Sequence, residues 1–149
     1  MILPALLAYS HYLSILLVIS ILVTELFVFG RILSAREMKI LQRADAFYGI
    51  GAILVLITGF LRIYNFGKGS DYYFSNTIFL AKLGIFIIVG LLSIYPTIVF
   101  LKWRKLKTAG DGIELDTNQY KKVRHFILLE TILVFMLPLL AALMARGIG

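Results

Sequence analysis

The sequence predicts an all-α integral membrane protein, a four-helix bundle with N-terminus and C-terminus outside. Three observations predict it. Of the 149 residues, 60% are hydrophobic and the mean hydropathy is +0.93, against roughly 45–50% apolar residues in soluble domains. The apolar residues gather in four runs, each near the ~20 residues a helix needs to cross hydrocarbon. Lys and Arg crowd the first and third loops between those runs, as cytoplasmic loops do. A single transmembrane domain over 1–149 is expected.

The first helix is expected at about 2–29, within MILPALLAYSHYLSILLVISILVTELFVFGR. Residues 1–10 carry no Lys or Arg and the run is longer than a signal-peptide core, so it reads as a retained span. Ser34–Arg43 (SAREMKILQR) reads as a short interfacial helix continuing from it. The second helix is expected at about 47–64 (FYGIGAILVLITGFLRIY), the third at about 77–101, and the fourth at about 126–145. Hydrocarbon offers no water to backbone groups, so helices are required, and no barrel-type alternation appears. Gly49, Gly51, Ala52, Gly59, Ala81, Gly84 and Gly90 allow close helix approach, and Pro96 and Pro138 interrupt helices three and four.

The loops orient the bundle. Loop 31–45 holds Arg31, Arg36, Lys39 and Arg43, and loop 65–76 holds only Lys68. Loop 102–125 holds Lys102, Arg104, Lys105, Lys107, Lys121, Lys122 and Arg124, with TAGDGIELDTNQ as a turn or flexible stretch. Loops 31–45 and 102–125 are therefore expected to be cytoplasmic, in a bacterial inner membrane. Tyr64, Tyr72 and Tyr73 then mark the outer interface, and Trp103 and Tyr120 the inner one. The net charge of +7 belongs to these loops, so nucleic acid is not an expected partner. The expected partners are the lipid bilayer, a hydrophobic small molecule and further copies of the chain.

Ionisable groups inside a span are costly, about 2.5–3.5 kcal/mol each on insertion scales, and so point to function. His11 and Glu25 share one helix face through Ile15, Val18 and Leu22. They are ~21 Å apart along the axis and cannot share one small site. Depth sorts the polar residues into two groups. His11, Arg62 and Lys82 occupy the outer half; Glu25, Arg31, Asp45, Arg124, His125 and Glu130 occupy the inner end. Each has a structural alternative. Arg62 and Lys82 can snorkel to headgroups, and His11 can hydrogen-bond a neighbouring helix. Glu25, Asp45 and Glu130 can form an ion network with Arg31 and Arg124 that closes the inner end, or a proton relay. His125 reads as surface.

The absence of cysteine excludes disulfides, thiolate zinc and iron–sulfur centres. One deep histidine is too little for zinc or copper, and Met38, Met136 and Met144 form no Met-rich motif. One histidine is enough for haem, where a single imidazole can hold the iron. Lys82 or Arg62 could then pair with a propionate. His125, at the opposite face, is too far to be a second ligand. No phosphate loop, nucleophile elbow or catalytic carboxylate pair is present.

These positions resemble the small four-helix family of HemJ-type protoporphyrinogen oxidases and the wider CopD-like superfamily. Within that group the chain is most similar to a set of uncharacterised predicted membrane proteins. The matching residues are His11 in AYSHYLSILL, Arg31 after FVFG, Gly59 in ITGFLRI, Lys82 in FLAKLGIFI, and Arg124 and Glu130 in RHFILLETILVFMLP. The resemblance implies a haem b cofactor with His11 as the metal ligand. It implies Lys82 beside haem or substrate, and Lys82 and Glu130 as the catalytic candidates, with Arg31 in support. Helix four reads LLET where the oxidases carry Asn-Glu followed by proline, and no histidine precedes Lys82. The expected function is a haem b membrane protein, acting as a redox enzyme on a porphyrin-like or quinone-like substrate. A non-catalytic scaffold or assembly subunit is the alternative, and a small transporter or copper-uptake protein a third.

Overall fold

Each of the four apolar runs is a helix. The computed structural model describes residues 2–66, 69–103 and 112–148. In chain order these form α1 (Ile2–Val28), β1 (Ile32–Leu33), α2 (Ala35–Leu61), a π-helical turn (Arg62–Phe66), α3 (Ser70–Ser75), α4 (Thr77–Trp103), β2 (Ile113–Glu114) and α5 (Thr117–Ala145). Helices α1, α4 and α5, and α2 with its turn to Asn65, are each long and apolar enough to cross a membrane. The protein is an all-α membrane bundle. Both termini lie at one end, called here the terminal end; the β1 and β2 links lie at the other, the basic end.

Helix α2 starts earlier than the expected 47. Ser34 and Glu37 form a capping box: the Glu37 amide donates to Ser34 Oγ (3.3 Å), and the Ser34 amide donates to Glu37 Oε2 (2.7 Å). Two orphan amides are thereby satisfied and the helix begins. SAREMKILQR is thus the first part of α2, not a separate interfacial helix after α1. Met38 and Leu41 turn inward while Arg36, Lys39 and Arg43 stay exposed. Helix α5 likewise starts before 126. The Asp116 carboxylate accepts from the Asn118 and Gln119 amides at 3.0 and 3.4 Å. Hydropathy marks the apolar span, whereas caps mark where the helix starts.

The stretch read as a loop is partly ordered. Ile32 pairs with Glu114 and Leu33 with Ile113 in an antiparallel ladder, and the Leu115 amide donates to the Arg31 carbonyl at 2.9 Å. A side chain on Gly112 would collide with the Leu33 carbonyl, so this approach requires glycine. The positions 108–111, with Lys68, Arg104, Lys105 and Lys107, lie outside the described residues.

Two apolar clusters hold the bundle. At the basic end Phe29, Leu33, Leu41, Phe100, Trp103 and Ile127 pack together. Trp103 is buried there, with its ring centroid 5.1 Å from that of Phe100. Helix α4 continues past the expected end at 101 to reach it. Tyr120 stacks on Phe29 at 5.7 Å. In mid-bundle Val18, Leu22, Tyr48, Val89 and Val134 form the second cluster.

The helices pair as α1 with α2 and α4 with α5. Gly51 permits the first pairing, since a Cβ there would stand 3.0 Å from Val18 Cγ2. Gly49, Gly84 and Gly90 face open space and bring no helices together. Much of α4, including Ile87, Ile88, Leu91, Ile94 and Ile98, is exposed and apolar, the surface that hydrocarbon covers.

Candidate functional site

The site is built around His11, in the terminal half of α1. Its Nδ1 lies 2.8 Å from Thr58 Oγ1 on α2. Thr58 has one hydroxyl proton, and its 2.6 Å bond to the Leu54 carbonyl takes that proton. The hydroxyl is then free to accept from His11, whose ring also has the Val55 backbone as an acceptor; with the proton on Nδ1, Nε2 keeps its lone pair. The ring also rests against Gly59: a Cβ there would stand 3.3 Å from His11 Cε1. One residue of α2 orients the imidazole by a hydrogen bond, and the next makes room by lacking a side chain.

A cavity of about 710 Å³ opens beside this ring, within the roughly 300–1,000 Å³ of small-molecule sites. His11 from α1, Arg62 from the π-helical turn and Lys82 from α4 all line it. The structure thus brings together the three residues expected to bind a cofactor. Arg62 and Lys82 are the charged neighbours of His11. The Arg62 guanidinium also lies 5.3 Å from the centre of the Tyr12 ring, a cation–π distance. Lys82 is half-buried and lines this cavity. Among the described residues no acid lines it; the walls are mostly apolar, with Ile15, Phe79, Phe86 and Leu137 among them. A cationic, acid-free apolar cavity suits a hydrophobic molecule with negative groups on one edge.

Glu130 is not part of this site. It lies toward the basic end with Glu25, Asp45 and Tyr48. Among the described residues the ion network expected there is not formed. Arg31 instead reaches Glu114 at 2.8 Å on the surface, and this is the ion pair found among the described residues. Helix α1 ends at Val28, and the extended chain carries Arg31 outward to the ladder. Arg124 is exposed and makes no ion pair. Thr97 donates to Asp45 Oδ1 at 2.6 Å.

A second cavity, of about 760 Å³, reaches Asp45, Tyr48, Ser93 and Thr97. Its wall and that of the His11 cavity share Ile15, Val55, Phe86 and Leu137. Sequence reading missed Thr58, whose partnership with His11 spans 47 positions, and it treated Gly59 as a packing residue. It also missed Tyr48, a buried hydroxyl inside an apolar run.

A family model described as "Predicted membrane protein (DUF2214)" matches residues 3–149. The chain belongs to that family. No curated protein and no solved structure matches it. Among the described residues of this DUF2214 member, no three His, Asp or Glu side chains are grouped to hold a metal ion.

Proposed function

We propose that this DUF2214 protein holds haem b in the His11 cavity and works there as a membrane redox enzyme. Haem requires an axial ligand, apolar walls and partners for two carboxylates. His11 offers Nε2 as the ligand, the cavity walls are apolar, and Arg62 and Lys82 are the partners. The observation that carries the reading is the His11–Thr58–Leu54 chain of hydrogen bonds. Metal-bound histidines commonly give their other ring proton to such a partner, which fixes the tautomer and the ring. The resemblance to HemJ-type and CopD-like proteins supports the same assignment. Bound haem would supply one-electron chemistry. The chain's own part is to orient the imidazole, exclude water and place Lys82 beside a porphyrin-like or quinone-like substrate. Glu130 has no role at this site. In this reading the protein lies in a bacterial inner membrane with loops 31–45 and 102–125 cytoplasmic, as the positive charge of those loops supports.

An absorption spectrum tests it. The purified protein, supplied with haem and read before and after dithionite, is expected to show a Soret band that shifts on reduction. His11→Ala is expected to lose it. A protein that takes up no haem, or a His11→Ala variant with the wild-type spectrum, removes the proposal.

A further inference from the structure

The cluster at the basic end poses a separate problem. Glu25 of α1 and Glu130 of α5 are 3% and 2% exposed. In each, Oε1 is buried and has no hydrogen-bond partner. Asp45 of α2 is the neighbour of both. The Tyr48 hydroxyl lies beside Glu130 and Ser93. Three carboxyl groups thus lie within electrostatic reach of one another, where an isolated carboxylate is strongly disfavoured and like charges oppose each other's ionisation.

No cation from the chain resolves this among the described residues. Arg31 is engaged by Glu114. Arg124 is exposed. Lys39 and Arg43, which border the second cavity, are exposed and form no ion pair. A multidentate metal ion is not the answer either, since no three acids are grouped to hold one. Protons remain. They add to a carboxylate oxygen, need no coordination shell and remove the charge. Asp45 has a hydroxyl donor in Thr97 at 2.6 Å and Glu130 has one in Tyr48; Asp45, the less buried of the two, is the better equipped to stay ionised. The second cavity is lined by Asp45 and Tyr48 together with the exposed Lys39 and Arg43, so Asp45 is the member of the cluster that opens toward the basic end.

We propose that Glu25, Asp45 and Glu130 form a proton-binding centre, in which Glu25 and Glu130 hold the protons, that exchanges with water through Asp45 and the second cavity. The step is proton transfer alone: a proton from water adds to a carboxylate oxygen and leaves by the same path. Nothing in it depends on haem.

Infrared spectroscopy of the full chain in lipid nanodiscs tests this, reading the carbonyl stretch of protonated carboxyl groups. Among the described residues Glu37, Asp71, Glu114 and Asp116 are the acids that lie outside the buried cluster. The expected result is a protonated-carboxyl band at pH 7 that shifts on exchange into D₂O. It should shrink in Glu25→Gln and in Glu130→Gln, and further in the double variant. Circular dichroism checks that the variants keep their helices, and the wild-type band serves as the test should they not. Absence of the band in wild type overturns the proposal. So does a band that disappears when sodium or potassium chloride is added at constant pH, because the centre would then hold a metal cation instead. Persistence of the full band in the folded double variant overturns it as well.

Discussion

His11 Nδ1 and Thr58 Oγ1 stand 2.8 Å apart, joining α1 to α2 at the point where the larger part of the proposed chemistry is placed. The hydroxyl serves as acceptor for the ring because it donates to Leu54. Thr58→Val keeps the shape and removes the acceptor. Loss of such an outer partner typically lowers metal affinity about 10–100-fold. Thr58→Ser should retain near-native haem affinity, and Thr58→Val should weaken it within that range, both read by haem titration. Equal affinity in the two variants would show that the bond does not orient the ligand.

Gly59 supports the same ring by absence. Its missing Cβ would come within 3.3 Å of His11 Cε1. Gly59→Ala should displace the imidazole by a few tenths of an ångström and alter the haem spectrum. Gly59→Leu should cost about 1–3 kcal/mol through overpacking, seen as earlier thermal unfolding in detergent. Gly84→Ala is the control, because its Cβ would enter open space.

Arg62 and Lys82 are proposed to face the carboxylates of the cofactor. A hydrogen bond to a charged group is worth about 1.5–3 kcal/mol, roughly tenfold or more in affinity. Arg62→Gln and Lys82→Gln should each weaken haem binding by about that factor. Neither should affect haem dimethyl ester, whose carboxylates are blocked. A loss of the same size for the ester would assign the two cations to structure.

At the basic end the exposed ion pair and the apolar ladder contribute unequally. Arg31 and Glu114 are 53% and 61% exposed in their side chains, and such pairs are worth about 0–1 kcal/mol. Arg31→Ala should barely change unfolding. Leu33 is fully buried, and Leu33→Ala should cost about 2–5 kcal/mol. Gly112→Ala should also destabilise, because its Cβ meets the Leu33 carbonyl. Thermal melts in detergent rank the three.

The four spans were legible because hydrocarbon demands long apolar runs, and residues such as Ile15–Leu22 announce themselves by composition. The depth argument that grouped His11, Arg62 and Lys82 needed only the rise of a helix and alternating direction. Helix starts were less visible. The Ser34–Glu37 signature is present in the sequence, yet it lies within the ten polar-rich residues Ser34–Arg43 that resemble an interfacial segment. The fate of Arg31 was hidden for another reason. Charge and depth favoured Glu25 or Glu130 as its partner, whereas the β1–β2 pairing, a contact between distant loops, turned it toward Glu114. Thr58 was hidden because a threonine inside an apolar helix usually satisfies itself on its own backbone, as this one also does.

Among the described residues, every backbone hydrogen bond joining the α1–α2 hairpin to the α4–α5 hairpin lies at the β1–β2 ladder. The His11 cavity lies toward the opposite rim, where no backbone hydrogen bond among the described residues joins the two hairpins and side-chain packing alone closes the cavity wall.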